Sequence, residues 1–167
     1  RGGERVGLTG TQLPPRRARN QIQRLAEFFS LSEAGDYGAP EHRGMIPHAR
    51  ALFISDFLGD MDEVKLALTK AADRGIRGLL LQVLDPAEES FPFQGRTIFQ
   101  SIGGTVEHET LKAGDLRSRY LTRLAERKDR LSALCRATGW QYQLHHTDQS
   151  AQSALLTIYQ ALDRGTA

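Results

Sequence analysis

Three strand-like stretches, each ending on an acidic residue or closely followed by one, constrain the fold of this chain more than any other feature. They are ALFISDF (51–57), IRGLLLQVLD (76–85) and WQYQLHHTD (140–148). Helical patterns lie before, between and after them, at residues 14–31, 60–75, 115–138 and 150–164. Apolar strands that alternate with helices are typical of a parallel sheet covered on both faces. We therefore predict an α/β fold with a mainly parallel sheet and helices on both faces.

The remaining segments complete a single domain over residues 1–167. A short strand is predicted at 4–10 (ERVGLTG), and a β-hairpin is predicted from TIFQSI and TVEHET, which are separated by Gly103-Gly104. Residues 32–50 are rich in glycine and proline, which predicts a long flexible surface loop. A chain of 167 residues is long enough to bury a substantial core.

Composition and charge exclude several classes of protein. Apolar residues make up 40% of the chain and charged residues 25%, which is typical of a soluble globular protein. The formal charge of +2 does not require nucleic acid. Six of the first 24 residues are arginines, but few aromatic residues are interleaved with them, so we interpret them as a solvated helix face and expect no nucleic-acid partner.

The single cysteine and the absence of long apolar runs bear on location. Cys135 has no second cysteine to pair with, so a reducing compartment is expected and its helix-end surroundings favour a structural thiol. No apolar run approaches the ~18 residues that a membrane helix needs, and no signal peptide is visible. These features favour a cytoplasmic protein.

The acidic residues at the three strand ends are the candidate functional residues. Because ligands of open α/β sheets bind at the carboxyl ends of the strands, Asp56, Asp85 and Asp148 are expected at the relevant edge. The alternative explanation for each acid is that it caps a helix or orders a turn. Asp148 is placed to cap the last helix, and Asp85 precedes Pro86 and is expected to order the DPAEE turn. Asp56 lies four residues before the predicted cap Asp60, so capping does not explain it.

Catalytic motifs are scarce in the sequence. It has no G-x-x-x-x-G-K-[ST], no G-x-G-x-x-G and no G-x-S-x-G. Because adjacent strand residues face opposite sides of a sheet, His145 and His146 are not expected to bind one metal ion. We therefore predict a protein that is not an enzyme, without catalytic residues. Two alternatives stay open: a metal-dependent phosphoesterase that uses Asp56, Asp85 and Asp148, and a purely structural domain.

Three stretches of the chain resemble a known family. FISDFLGD, LLLQVLDPAEESFPFQGRTIF and LRSRYLTRLAERKDRLSALCRATGWQYQLHHTD are similar to the C-terminal part of the bacterial domain-of-unknown-function family 58. The similarity extends over most of the chain, between positions 48 and 162. Proteins of that family contain a von Willebrand factor A-like domain, so the resemblance implies a Rossmann-like sheet.

The resemblance also implies a metal-ion-dependent adhesion site at the carboxyl edge of the sheet. In that site an Asp-x-Ser-x-Ser motif from the first strand, a loop threonine and an aspartate after the fourth strand hold Mg²⁺ or Mn²⁺. Asp56 matches the fourth-strand aspartate, whereas no Asp-x-Ser-x-Ser occurs in this sequence. We therefore expect a domain that is incomplete at its N-terminus, with the metal bound by Asp56 only in an intact protein.

Partners are implied by the same resemblance. It points to a non-catalytic interaction module that works with a MoxR-type AAA+ ATPase in complex assembly, and it leaves open membrane segments upstream in the full-length protein. The candidate interaction surface consists of Ser55, Asp85, Glu88, Arg96 and Asp148. A sheet without its central strand has unpaired edges, so we expect a rearranged element at the gap or a homodimer through those edges.

Overall fold

The computed structural model describes residues 4–31, 38–101 and 107–163. The helices are α1 (Gln21–Leu31), α2 (Met61–Asp73), α3 (Pro86–Ser90), α4 (Ala113–Thr138) and α5 (Ala151–Asp163). The strands are β1 (Arg50–Ser55), β2 (Arg77–Leu84), β3 (Thr97–Gln100), β4 (Glu107–Thr110) and β5 (Gln141–His146).

The central element is a three-stranded parallel sheet in the order β1-β2-β5. Its register places Phe53 beside Leu80 and Leu80 beside Tyr142. Strands β3 and β4 form a separate antiparallel pair. The prediction of an α/β fold with a parallel sheet and one hairpin is therefore confirmed.

The larger part of the core lies on the sheet face that α2 and α4 cover. Phe53 and Trp140 stack there with ring centroids 4.9 Å apart, and Leu68 and Leu131 pack around them from the two helices. The Trp140 indole N–H donates to the Ile76 carbonyl over 3.2 Å, which satisfies its polar atom inside the core. The stacked rings and the indole hydrogen bond therefore stabilise the packing of β1 and of the start of β5 on this face.

Helix α5 covers the opposite face. Ala161 and Ile158 pack against Leu79 and Leu81 of the middle strand, with Leu52 of β1 at the margin. Alternate β2 residues therefore face two separate layers, which explains why GLLLQVL is apolar almost without interruption. Helices lie on both faces of the sheet, as predicted.

An aromatic cluster attaches the hairpin to α4. Phe91 lies 4.9 Å from Tyr120 and 5.8 Å from Phe99, measured between ring centroids, and Phe93 contacts both phenylalanines. Phe91 ends α3 in the left-handed region, with φ 43°. The sequence predicted only a turn after Asp85, whereas residues 86–90 form the short helix α3.

The N-terminal segment differs from the prediction. Residues 4–10 form no strand; Val6 makes only an isolated antiparallel bridge to Arg16. Helix α1 begins at Gln21, several residues after the proline pair at 14–15. The buried Gln21 amide donates to the carbonyls of Val6 and Pro14 over 2.9 and 3.2 Å, so the segment folds back on itself rather than joining the sheet.

The segment before β1 is partly anchored. Residues 38–49 contain no helix or strand, residues 32–37 lie outside the described ranges, and Arg50 belongs to β1. Met45 is buried in the core beneath α2, and the His48 amide donates to the Arg74 carbonyl over 3.1 Å. The core therefore fixes the entry to β1.

Two features complete the architecture. Within the described residues, β1 and β5 each pair with β2 alone, so each has one open edge. None of the helices in these ranges is both long enough and apolar enough to cross a bilayer.

The close approach of β1 to β2 at Gly78 gives a stability test. A Cβ at Gly78 would lie 1.8 Å from the Ala51 carbonyl oxygen, so Gly78→Ala must push the strands apart. We expect it to lower the free energy of unfolding by about 2 kcal/mol or more. Gly114→Ala is the matched control, because nothing lies within 4 Å of its added Cβ. The control should raise stability by about 0.5 kcal/mol in urea unfolding; equal effects would contradict the packing.

Candidate functional site

The turn between β1 and α2 carries the principal candidate, Asp56. Its Oδ1 atom accepts from the Leu58 amide over 3.0 Å and from the Ser55 hydroxyl over 3.3 Å. The Ser55 hydroxyl oxygen also accepts from the Phe57 amide over 3.1 Å. These bonds fix one carboxylate oxygen and leave Oδ2 of the exposed Asp56 without a hydrogen bond to any described residue.

Phe57, in the same turn, adopts a backbone conformation that bulky residues rarely take. Its φ is 52° and its side chain is buried. The Arg127 guanidinium, reaching across from α4, donates to the carbonyls of Phe57 and Gly59 over 2.9 and 2.7 Å. Burial of the ring and this clamp together hold the strained conformation.

A buried amide links all three parallel strands of the sheet. Gln82 of β2 is fully buried, and its Nε2 donates to the Asp56 carbonyl over 2.7 Å. Its Oε1 accepts from the Tyr142 hydroxyl of β5 over 2.6 Å. Burial, followed by the charges of Cys135 and Asp129, raises the pKa of Tyr142 to about 12. The neutral phenol therefore donates throughout the ordinary pH range.

Asp85 has a structural role at the start of α3. Its Oδ1 accepts from the Ala87 amide and its Oδ2 from the Thr147 hydroxyl, both over 2.8 Å. The Glu88 carboxylate accepts from the Asp85 amide over 2.7 Å, which completes a capping box. The Ala87 amide and then the Thr147 hydroxyl hold the pKa of Asp85 below its usual range. The prediction that Asp85 orders this turn is confirmed.

Asp148 and Arg96 lie apart from this arrangement. The hydroxyl of Ser150, not Asp148, accepts from the Gln152 amide over 3.2 Å at the start of α5, so the expectation that Asp148 caps this helix was wrong. Arg96 pairs with Glu109 across the base of the hairpin, with Nε 2.5 Å from Oε1. Among the predicted surface residues, Ser55 and Asp56 share one turn and Asp85 and Glu88 share another.

Tyr120 of α4 connects the two turns electrostatically. Burial comes first and the charges of Glu88 and Asp56 follow as the causes that raise the pKa of its hydroxyl. Its ring contacts Phe91 at the end of α3. Both acidic turns therefore lie near the hydroxyl of Tyr120.

A further cluster at this edge was missed by sequence reasoning. Glu89 of α3 lies between Lys128 of α4 and His146 of β5 and pairs with both. Burial lowers the pKa of Lys128. His145, by contrast, lines a cleft between β5 and α5, so the two histidines face opposite sides as predicted. The strand-end histidine was a visible signal, whereas nothing in the sequence indicated its partners.

The described residues do not fit a Mg²⁺ or Mn²⁺ site by themselves. No group of three or more His, Cys, Asp or Glu side chains in the described ranges could hold a metal ion. Asp56 offers one free carboxylate oxygen beside the Ser55 hydroxyl, whereas Mg²⁺ takes six oxygen ligands. Both oxygens of Asp85 already accept a hydrogen bond, from the Ala87 amide and from the Thr147 hydroxyl.

Known proteins give no further guidance. Comparisons of the chain with protein-family models, with curated proteins and with solved structures found no match.

The Gln82 network predicts a specific loss of stability. Gln82→Leu removes the partner of the Asp56 carbonyl and of the Tyr142 hydroxyl at part-buried positions, so the free energy of unfolding should fall by about 1–3 kcal/mol. Tyr142→Phe removes one of the two bonds and should cost less. In a double-mutant cycle measured by urea unfolding, the two losses should not add. Strict additivity would show that the two groups do not interact.

Stability should also fall at alkaline pH. Burial raises the pKa of Tyr142 from 10.0 to about 12 and that of Cys135 from 9.0 to about 12. Because the unfolded chain releases these protons first, the stabilisation is fully present below about pH 9 and is lost as pH rises toward 12. Urea unfolding at several alkaline pH values measures this. Tyr142→Phe should give a shallower decline than the unaltered chain, and an identical profile would contradict the assignment to Tyr142.

Proposed function

We propose that this chain is a non-catalytic protein-interaction module of the von Willebrand factor A type, from a family 58 protein. The observation that carries the proposal is the turn of residues 55–59 at the carboxyl edge of the sheet, which is held in one conformation. Arg127, Gln82 and the turn's own hydrogen bonds determine its backbone, while the carboxylate of Asp56 stays exposed. A rigid turn that presents an unshared charge is suited to docking, because little conformational freedom is lost on binding.

The acidic residues at this edge give the proposed docking surface a negative charge. Glu88 and Asp56 both lie near enough to Tyr120 to raise the pKa of its hydroxyl, so this edge carries two carboxylates. A complementary partner is basic there. The partner we propose, on the family resemblance, is a MoxR-type AAA+ ATPase, and the role is complex assembly. In an intact protein, an upstream Asp-x-Ser-x-Ser segment would supply the metal ligands that the described residues lack.

The distribution of the acids favours this role over the rival enzyme. A metal-dependent phosphoesterase needs its carboxylates grouped around the ion. Both Asp85 oxygens are engaged in the α3 turn, and Asp148 lies beyond the end of β5. Of the three acids, Asp56 is the one whose turn is held by hydrogen bonds from Gln82 and from Arg127, and one of its carboxylate oxygens accepts no hydrogen bond from a described residue.

Binding of a MoxR-type AAA+ ATPase, measured by biolayer interferometry, tests the proposal. Asp56→Ala should weaken binding roughly tenfold, which corresponds to about 1.4 kcal/mol. Asp73→Ala is the matched control, because it removes an exposed carboxylate at the last residue of α2, and it should leave the affinity unchanged. If Asp56→Ala binds normally and loses only about 1 kcal/mol of stability, the acid is structural and the proposal fails.

Turnover and metal titration separate the remaining possibilities. The chain should not hydrolyse p-nitrophenyl phosphate with Mg²⁺ present, and hydrolysis abolished by Asp56→Ala would replace the module with an esterase. Calorimetry with MgCl₂ and MnCl₂ should show no binding to this chain, because no group of ligands among the described residues converges on Asp56. A longer form with the upstream motif should bind in a manner that depends on Asp56. Absence of binding by both forms would remove the metal from the proposal.

A further inference from the structure

The outer edge of β1 is chemically unlike an ordinary protected edge. Within the described residues no strand pairs with it. Native edges are commonly protected by lysine, proline or a bulge, whereas RALFIS has one charge, at its first position. Ile54 is 56% exposed on this strand. The edge thus offers unpaired backbone groups beside an apolar side chain.

The hydrogen bonds to β2 determine which residues face outward. The Arg77 amide donates to the Ala49 carbonyl over 3.4 Å, and β1 and β2 run parallel. In a parallel ladder, alternate residues direct both backbone groups to the same neighbour. Ala49, Ala51 and Phe53 therefore face β2, and the residues between them face outward: Arg50, Leu52 and Ile54.

Three antiparallel registers place Leu52 or Ile54 of one copy opposite Leu52 or Ile54 of a second copy. Leu52 opposite Leu52 would place Arg50 against Ile54. Ile54 opposite Ile54 would place Leu52 against Asp56. Leu52 opposite Ile54 instead places Arg50 against Asp56, so that apolar residues meet apolar residues and opposite charges meet twice across the twofold axis.

We propose that the chain forms a homodimer in this third register, with one continuous sheet running through both copies. Leu52 and Ile54 of each copy exchange backbone hydrogen bonds with Ile54 and Leu52 of the other. Arg50 of each copy pairs with the Asp56 carboxylate of the other through the Oδ2 atom, which no described residue uses. The Asp56 backbone carbonyl takes no part, because Gln82 already donates to it.

Helix α5 also contributes to the proposed interface between the two β1 strands. Ala154 and Ile158 lie toward the sheet, and Ser153 and Thr157 line the cleft beside β5. By helical periodicity the exposed Leu155 and Tyr159 lie on the opposite flank, toward β1. The twofold axis places the two α5 helices on one face of the sheet. They lie above β2 strands roughly 14 Å apart, which is three strand spacings.

The distance between the two α5 helices leaves room for the exposed side chains on their facing flanks. Helices in direct contact lie roughly 8–10 Å apart. The two α5 helices are farther apart than this, so they leave a channel above the interface between the two β1 strands. Leu155 and Tyr159 of both copies line it, and Leu52 and Ile54 form its floor. The open edge of β5 lacks these features, because its exposed positions are the amides Gln141 and Gln143.

Sedimentation velocity over a concentration series tests the dimer. The unaltered chain should dimerise reversibly, and Ile54→Lys should raise the dimer dissociation constant roughly tenfold or more, because a charge then faces Leu52. Leu66→Lys is the matched control: Leu66 lies on α2 with a similar exposure of 51%, and the dimer should persist. A chain that stays monomeric, or a dimer that tolerates Ile54→Lys, overturns the proposal.

Charge reversal tests the register. Arg50→Asp and Asp56→Arg should each weaken the dimer, because each places like charges opposite one another. The double variant restores opposite charges and should dimerise more tightly than either single variant. If it is as weak as the two losses combined, the proposed register is wrong. Arg50 contacts Asp56 only across the dimer, so Arg50→Asp frees this carboxylate and should weaken the dimer without weakening ATPase binding; failure of the dimer is thereby distinguished from failure of the proposed function.

Discussion

The carboxyl edge depends on one buried amide. Gln82 has no exposed surface, and its two polar atoms join the turn after β1 to the tyrosine of β5 across the middle strand. A buried amide without partners is costly, so each of these bonds constrains the others. The position of the Asp56 backbone therefore depends on the register of all three strands and not on the local turn alone.

The acids at this edge divide according to how many of their oxygens are already engaged. Asp85 accepts one hydrogen bond at each oxygen, and its lowered pKa follows from those bonds. Asp56 uses one oxygen for its own turn. Similar sequence contexts, a strand followed by an acid, thus produce a structural carboxylate in one case and an available carboxylate in the other.

The apolar strands and their helices could be predicted from the sequence, because continuous hydrophobicity and helical spacing are local signals. The strand at 4–10 was wrong, since its apolar residues have no neighbouring strand within the described sheet. Helix α3 was missed because five residues that begin with proline carry no periodicity. Gln82, the one amide within GLLLQVL, was a visible anomaly. The Arg127 clamp was not, because 70 residues separate it from Phe57.

The two open edges show why exposure has to be considered together with chemistry. β5 ends the sheet with amides and histidines, groups that water satisfies well. β1 ends it with Leu52 and Ile54 between a positive residue and a negative one, a pattern that is complementary to itself when the strand is reversed. Water can solvate the two charges of this pattern, but it cannot substitute for apolar contacts to Leu52 and Ile54. The strand that leads to Asp56, the carboxylate we propose for docking, therefore also carries the edge at which we propose that a second copy pairs.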